Sequence, residues 1–87
     1  MTIKLDLLGY FQMMLGTMHA TLSLPAAATV EDMWQHLVSS HIQLQGDNFR
    51  AAAGITVNGT FIHRESWDRW SLHDGDYVIL VSQMAGG

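Results

Sequence analysis

Histidine is the side chain in this sequence best suited to bind a metal ion, and the chain has five of them. His36 and His41 are five residues apart, so they do not share a helix face as ligands at positions i and i+4 would. His19, His63 and His73 lie on different predicted elements, and the sequence has no cysteine to complete a zinc site. The spacing therefore predicts surface histidines and no metal centre.

A nucleophilic serine is not supported either. No Gly-x-Ser-x-Gly motif surrounds any serine, and the spacing suggests no partner for Ser39, Ser40, Ser66 or Ser71. The eight glycines are scattered rather than clustered ahead of a helix, so we predict no phosphate-binding loop. We expect that the chain has no catalytic residue of its own and is not an enzyme.

The end of the chain carries the most specific chemistry. Gly86 and Gly87 have no side chains, so they form a thin segment that can enter a narrow channel. The α-carboxylate at the terminus is ionised at pH 7. Such a carboxylate can attack the α-phosphate of ATP inside a partner enzyme, and the acyl-adenylate then reacts with a sulfur or nitrogen nucleophile. The sequence thus indicates that Gly87 is the reactive group and that the rest is its scaffold.

The first part of that scaffold is predicted to be a hairpin. The segment from Ile3 to Phe11 alternates at its start between apolar and charged residues, which is the period of a β-strand. Gly16 is placed in the reversal. A second alternation runs from Ala20 to Leu24, and Pro25 ends it.

Thr29 is predicted to begin the main helix. Its hydroxyl can accept a hydrogen bond from the backbone N–H three residues on, and Glu31 and Asp32 place negative charge in the first turn. An apolar stripe at helical spacing continues to about His41; it consists of Val30, Met33, Trp34, Leu37 and Val38. The segment from Gln43 to Arg50 shows no periodicity and is predicted to be a loop.

The second half of the chain is predicted to return to strands. Ala53 to Val57 is one strand, and Asn58-Gly59 is a strong hairpin signal because both turn residues need a positive φ. Thr60 to His63 is the return strand, and Arg64 to Ser71 is expected to be irregular or a single turn. Tyr77 to Ser82 is apolar on both faces, as a central strand would be.

The tryptophans are expected to divide between core and surface. Trp34 lies on the apolar helix stripe and is predicted to be core. Of Trp67 and Trp70, which lie in a charged context, we expect one to close the end of the core and the other to be partly exposed.

Composition limits the classes of partner. Charged residues are 14% of the chain, against about 25% in an average soluble domain, which suits a protein that docks against others. The net charge is −4 and there are only four cationic side chains, which argues against binding nucleic acid. No long apolar run is present, and Lys4 and Asp6 occur where a signal peptide would be apolar. We expect a cytoplasmic protein without a membrane segment.

These elements predict an α+β fold. The order is two strands, a helix, two short strands and a final central strand, and only the helix can cover the apolar face of the sheet. Placing the last strand beside the first gives the β-grasp arrangement, a mixed sheet of about four to five strands with one main helix packed across it. We predict a β-grasp domain over residues 1–83 and a flexible tail over residues 84–87.

Three motifs in this order resemble the MoaD/ThiS family of ubiquitin-like sulfur carriers. They are Ile55-Thr56-Val57-Asn58-Gly59, Leu72-His73-Asp74-Gly75-Asp76-Tyr77-Val78, and the Gly86-Gly87 end. The resemblance covers nearly the whole chain. It implies the β-grasp fold and a Gly87 that is adenylated and then converted to a thiocarboxylate.

The resemblance also implies partners. A ubiquitin-activating-enzyme-like adenylyltransferase would use Mg-ATP, so the chain itself would bind no cofactor. A sulfur donor would follow, and then an acceptor enzyme. Phe61 and Val81 match apolar surface positions that the family presents to partners, although Phe61 follows the hairpin turn and could equally be a core residue. Met84 matches the apolar residue that precedes the glycines, and Met84 and Ala85 are part of the predicted tail.

The acceptor pathway stays open at this point. The long first hairpin, from Ile3 to Leu24, resembles the small subunit of molybdopterin synthase, whose partner is the large subunit. The stretch Arg64-Glu65-Ser66-Trp67 resembles the thiamine-pathway carrier, whose partner is thiazole synthase. Ser82-Gln83 stands where the molybdopterin type often has prolines. We favour molybdopterin biosynthesis, with the thiamine carrier, a ubiquitin-like modifier joined through Gly87 and a non-covalent interaction module as alternatives.

Overall fold

A computed structural model of the chain describes residues 1–82, apart from the side chains of Ile42 and Asp47. Its five strands form one sheet in the order β2-β1-β5-β3-β4. The pair β1–β5 is parallel, and the other pairs are antiparallel. This is the predicted β-grasp topology. In chain order the elements are β1 (Thr2–Leu8), α1 (Tyr10–Leu15), β2 (His19–Ser23), α2 (Val30–Ser40), a 3₁₀ turn (Ile42–Leu44), α3 (Asp47–Ala52), β3 (Ala53–Val57), β4 (Thr60–Ile62), a second 3₁₀ turn (Arg64–Ser66) and β5 (Tyr77–Ser82).

The strands form because their apolar residues alternate. Ile3, Leu5 and Leu7 of β1 are at most 1% exposed, and the residues between them point to the other face. β5 lies in the middle of the sheet between β1 and β3, so the prediction of a central last strand placed beside the first is confirmed.

The turn between β3 and β4 is fixed by its two residues. Asn58 has φ 49° and Gly59 has φ 87°, the left-handed values expected for this hairpin. The Asn58 side chain also ties the turn to β5: its Nδ2 donates to Asp76 at 2.9 Å, and its Oδ1 accepts from the Tyr77 N–H at 2.9 Å. The hairpin prediction is confirmed, although β4 ends at Ile62 rather than His63.

The main helix, α2, begins as predicted. The Thr29 hydroxyl accepts from the Asp32 N–H at 3.1 Å, and the Asp32 carboxylate accepts from the Thr29 N–H at 2.9 Å, which is a capping box. The helix ends at Ser40, with His41 as its C-cap. Its apolar stripe packs on the sheet; the fully buried members are Val30, Met33, Trp34 and Leu37.

The tryptophans divide as expected. Trp34 is 2% exposed and Trp67 is 1% exposed, whereas Trp70 is 40% exposed. Trp67 closes the end of the core: its ring centroid lies 5.8 Å from that of Trp34, and its Nε1 donates to the Ile62 carbonyl at 3.1 Å. The guanidinium of Arg50 lies 4.9 Å from its ring centroid.

Two parts of the sequence interpretation were wrong. The segment from Ile3 to Phe11 is not one strand, because the chain turns at Gly9 (φ 66°) and enters α1, which buries Phe11 against Trp34. The predicted hairpin therefore contains a helix, and Gly16 is the left-handed C-cap of that helix. The segment predicted as a loop over residues 43–50 contains the end of a 3₁₀ turn and most of α3. Short helices of this kind are stabilised by tertiary packing rather than by a long periodic stripe.

No helix within residues 1–82 combines the length and the hydropathy that crossing a bilayer requires. The predicted boundary between domain and tail, at residues 83 and 84, lies outside the described residues and stays a prediction.

Candidate functional site

The predicted reactive end follows directly from the central strand. Its four residues lie outside the described residues, so their role stays a prediction: Met84, Ala85, Gly86 and Gly87. β5 ends at Ser82, which lies opposite Ala53 at the start of β3. On the other side of β5, Val81 lies opposite Leu8 at the end of β1. β5 therefore ends at the end of the sheet where β1 ends and β3 begins.

Two short helices flank this edge. α1 follows β1, and α3 leads into β3. The ring of Tyr10 in α1 stacks on that of Phe49 in α3, with centroids 6.2 Å apart and planes 6° apart. Gly9 lies beside the end of β5, since a β-carbon built there would be 3.6 Å from Cβ of Ser82. The positive φ of Gly9 turns the chain into α1 and brings this helix beside the origin of the tail.

The sheet has a second face, opposite α2, which we call the open face. Each of its residues on β1 and β5 is at least partly exposed. It is formed by alternate residues of the strands: Thr2, Lys4, Asp6 and Leu8 of β1, Tyr77, Ile79 and Val81 of β5, Thr56 of β3, Phe61 of β4, and His19 and Thr21 of β2.

Both predicted interface residues lie on the open face. Phe61 is 42% exposed and lies opposite Thr56 of β3. Val81 is partly exposed and lies opposite Gly54, which is two residues before Thr56 in β3. Ile79 lies on the other side of Thr56. These residues form an apolar patch next to the origin of the tail, made of Leu8, Phe61, Ile79 and Val81. Their role in binding a partner stays a prediction.

A polar row lies on the other half of the open face. The Tyr77 hydroxyl of β5 donates to Asp6 Oδ2 of β1, and Nδ1 of His19 in β2 lies 2.6 Å from Asp6 Oδ1. An ionised carboxylate only accepts, so Nδ1 carries the proton in this bond. The hydrogen bonds from Tyr77 and then His19 hold the pKa of Asp6 below its usual range. The same bond to Asp6 raises the pKa of Tyr77.

The polar row was not predicted from the sequence. Asp6 and Tyr77 are 71 positions apart, and only the parallel pairing of the first and last strands brings them together. Strand alternation and the predicted topology would have placed both on one face. The register, which puts Asp6 beside Tyr77 and His19, could not be inferred from the sequence.

The remaining histidines are dispersed. His36 lies on α2 and His41 caps it, while the His63 ring packs edge-on against Phe61 with centroids 5.1 Å apart. Among the side chains described in residues 1–82, which do not include that of Asp47, no three His, Cys, Asp or Glu residues are grouped as a metal site requires.

The strand order, the single long helix across the sheet and the exit of the last strand beside an open face define a ubiquitin-like β-grasp protein. Within this class, the chain belongs to the ThiS family, whose model matches residues 7–87. The sulfur carrier protein ThiS of Escherichia coli (strain K12) is 35% identical over 43 residues, which are 49% of this chain and 65% of that protein. The match thus spans less than two thirds of this curated relative.

Solved structures confirm the fold. SAMP1 from Haloferax volcanii matches with a TM-score of 0.80 at 20% identity over 100% of both chains. A protein of Pyrococcus furiosus described as molybdopterin converting factor subunit 1 matches with a TM-score of 0.77 at 25% identity, over 93% of this chain and 95% of that one. A chain in the complex of subunits 1 and 2 of the molybdopterin-converting factor from Helicobacter pylori matches with a TM-score of 0.65 at 16% identity over 100% of both chains.

Proposed function

We propose that this chain is a sulfur carrier that bears sulfur on its C-terminal Gly87. The observation that carries the proposal is that the family match runs to residue 87 and so includes the Gly86-Gly87 end. The structure supports the proposal, because the central strand β5, which precedes the tail in the chain, ends beside the apolar patch. The carrier supplies the reacting carboxyl group, and its partners supply the catalysis.

The first step is activation of the carboxylate. An oxygen of the Gly87 carboxylate attacks the α-phosphorus of Mg-ATP held by an adenylyltransferase, and pyrophosphate leaves. A hydrosulfide ion released by the sulfur donor then attacks the acyl carbon. The C–S bond forms as the C–O bond to AMP breaks, AMP leaves with the electron pair, the S–H proton goes to solvent, and a thiocarboxylate remains. Because Gly86 and Gly87 have no side chains, the partner can close around them.

Docking of the partners is assigned to the open face. Phe61 and Val81 lie in the apolar patch, and contact with a partner would bury this exposed apolar surface. The patch adjoins the origin of the tail through Val81 and Leu8. A partner seated there is therefore placed to receive the end of the chain.

We assign the acceptor to molybdopterin biosynthesis, with the large subunit of the synthase as partner. The support is the long connection between β1 and β2, which contains α1, together with the similarity to the Pyrococcus protein over nearly its whole length. In the Helicobacter structure, a chain of this fold occurs in a complex of subunits 1 and 2.

Two other candidates each have a specific observation behind them. Donation of sulfur to thiazole synthase is favoured by the family match and by the curated relative, which is the ThiS protein. Conjugation to protein amines, as in a ubiquitin-like modifier, is favoured by the similarity to SAMP1, a small archaeal modifier protein. All three candidates use activation at Gly87 and differ in the nucleophile.

The activation step is tested with the adenylyltransferase of the same organism. We expect the chain to support ATP–pyrophosphate exchange, and we expect deletion of Gly87 to abolish exchange while the unfolding transition is unchanged. Gly86→Ala should slow exchange, because it adds a side chain inside the narrow channel. Exchange at the native rate without Gly87 would contradict the proposal, and so would a native protein that works with this end amidated.

The nucleophile is identified by mass spectrometry of the intact chain and of its conjugates. A gain equal to the replacement of one oxygen by sulfur indicates a thiocarboxylate. Conjugation leaves a branched peptide on target lysines, and after trypsin that branch is Trp70–Gly87, because Arg69 is the last cleavage site. The pathway is then tested by rescue of two strains, one lacking a molybdopterin-type carrier and one lacking a thiamine-type carrier. Rescue of the second strain alone would overturn the molybdopterin assignment.

A further inference from the structure

Amino groups are scarce in this chain. Its four cationic side chains are three arginines and one lysine, so Lys4 is the only side-chain amine in the sequence. The other amine, at Met1, is partly buried and donates a hydrogen bond of 2.7 Å to the Leu24 carbonyl. Arginine stays protonated in proteins and is not a nucleophile at neutral pH. An activated carboxyl group would thus meet one exposed amine on this scaffold, that of Lys4.

Lys4 lies on the open face. In the register it is between Thr21 of β2 and Tyr77 of β5, and its side chain is exposed at a shallow hollow of about 390 Å³. The carboxylate two residues along the strand, that of Asp6, already accepts hydrogen bonds from Tyr77 and His19. None of the ion pairs formed within residues 1–82 includes Lys4. Its amine is accessible.

We propose that Lys4 is a modification site whose acyl donor is the activated Gly87 of a second copy of this chain. The inference rests on the activation of Gly87 given above as the proposed function. The Lys4 ammonium loses a proton to solvent, and the Nζ lone pair attacks the Gly87 carbonyl carbon. The C–N bond forms as the C–O bond to AMP breaks, AMP leaves with the electron pair, and a second proton goes to solvent. The product is an isopeptide-linked pair.

Modification of Lys4 and docking of a partner exclude one another. Lys4 is on the same face as the apolar patch. It lies two residues before Asp6 in β1, and Asp6 lies opposite Ile79 of the patch. A standard interface buries about 800 Å² of each partner, which corresponds to a patch roughly 30 Å across. An interface of that size would cover both Lys4 and the apolar patch. A docked partner therefore shields Lys4, and an acylated Lys4 obstructs docking. Because Lys4 is the one lysine of the sequence, a docked partner that covers it would block acylation of the chain's side chains.

A second copy is a better donor than the chain's own end. Lys4 lies opposite Tyr77, which is five residues before Ser82 in β5. Five residues of a strand span about 16 Å. Five fully extended residues reach at most about 18 Å. To reach its own Lys4, the chain would have to reverse direction and use almost its whole length, whereas a second copy meets no such limit.

The test uses the full chain with a thioester at Gly87, made chemically by intein cleavage, so it does not depend on any natural activating enzyme. We expect a covalent dimer whose yield rises with protein concentration, with the branch Trp70–Gly87 found on Lys4 after trypsin. The matched variant Lys4→Arg keeps the charge, and its dimer yield should fall to background. A chain acetylated at Met1 should still form the dimer.

Each other outcome overturns the inference. Free lysine added to every sample shows that the thioester is reactive; a reactive thioester that yields no dimer contradicts the proposal. A dimer that persists in Lys4→Arg, or one linked through Met1, assigns the acceptor elsewhere. A monomeric product linked to Lys4, formed independently of concentration, would show that the donor is the chain's own end. Adding the adenylyltransferase without ATP should lower the dimer yield, and an unchanged yield would exclude shielding. Failure of the proposed function is separate, since it appears as absent ATP–pyrophosphate exchange.

Discussion

Ile79 and Leu80 are neighbours in the central strand, but they belong to opposite faces of the sheet, which differ in burial. Leu80 is fully buried in the core beneath α2. Ile79 is partly exposed on the open face, between Asp6 of β1 and Thr56 of β3. The same strand therefore contributes one residue to the stability of the fold and the next to a surface that a partner can contact.

The covered face is packed by large apolar and aromatic side chains. Phe11 meets Trp34 edge-on with centroids 6.1 Å apart, and the indole N–H of Trp67 donates to a carbonyl. On the open face, the buried hydroxyl of Thr56 has no hydrogen-bond partner among residues 1–82. Its largest side chains, Phe61 and Tyr77, are 42% and 40% exposed. Substitutions on the two faces should therefore separate stability from recognition.

The largest expected difference is between alanine substitutions at the two neighbouring positions. Leu80→Ala removes a fully buried side chain from the core and should cost about 2–5 kcal/mol of the free energy of unfolding. Ile79→Ala, on the open face, should cost roughly 1 kcal/mol. Urea unfolding of both variants checks the comparison. Equal losses at the two positions would show that the open face is also part of the core.

A backbone substitution tests how the open face is held in shape. Gly59→Val puts a β-branched residue at φ 87° in the turn that joins β3 to β4 and should cost about 1–3 kcal/mol. Gly59→Asn is the control, because asparagine tolerates left-handed backbone and should retain most of the stability. Thermal unfolding of both variants measures the difference. If valine were tolerated as well as asparagine, the positive-φ turn would not constrain this hairpin.

The parts of the fold that the sequence predicted are those determined by local chemistry. Thr29 and Asp32 form the capping box from residues three apart, and Asn58-Gly59 fixes its turn through its own φ preferences. α1 and α3 were missed because six residues do not show two turns of helical periodicity. Each begins after a glycine with positive φ, Gly9 or Gly46, which in retrospect is the available local signal.

The candidate site also contains residues that the sequence predicted and contacts that it did not predict. Phe61 was assigned from the family resemblance, and the structure places it on the open face, 42% exposed. Its interface role stays a prediction. The Asp6, His19 and Tyr77 row depends on the register of three strands, and the stacking of Tyr10 on Phe49 depends on two helices that were not predicted. Contacts of this kind arise from tertiary packing and have no signal in the local sequence.

The third prediction concerns binding. Phe61→Ala should raise the KM of adenylation by about tenfold or more, because a large exposed aromatic side chain in an apolar patch is the typical hot spot of an interface. The free energy of unfolding should change by about 1 kcal/mol or less, since the side chain is already partly in water. Trp70→Ala is the matched control, because Trp70 is 40% exposed but is not one of the residues of the open face. Adenylation of this variant should have the same KM as that of the unsubstituted chain. Equal effects of the two substitutions would place the docking surface elsewhere.

The smallest expected effect concerns the polar row. The bond from Tyr77 to Asp6 lowers the pKa of Asp6 and raises the pKa of Tyr77, so it stabilises the fold while the carboxyl is ionised and the phenol is protonated. The Asp6 contribution is present above the ordinary carboxyl pKa and is lost as the pH falls through its lowered value. The Tyr77 contribution is present below the ordinary phenol pKa and is lost as the pH rises through its raised value. Tyr77→Phe should therefore lower the free energy of unfolding near neutral pH, and this loss should disappear in strong acid and in strong base. Tyr10→Phe, which leaves the bond from Tyr77 to Asp6 in place, is the matched control for the loss of an exposed phenolic hydroxyl. An NMR titration should show the pKa of Asp6 rising in Tyr77→Phe, and an unchanged value would mean that the hydrogen bond does not persist in solution.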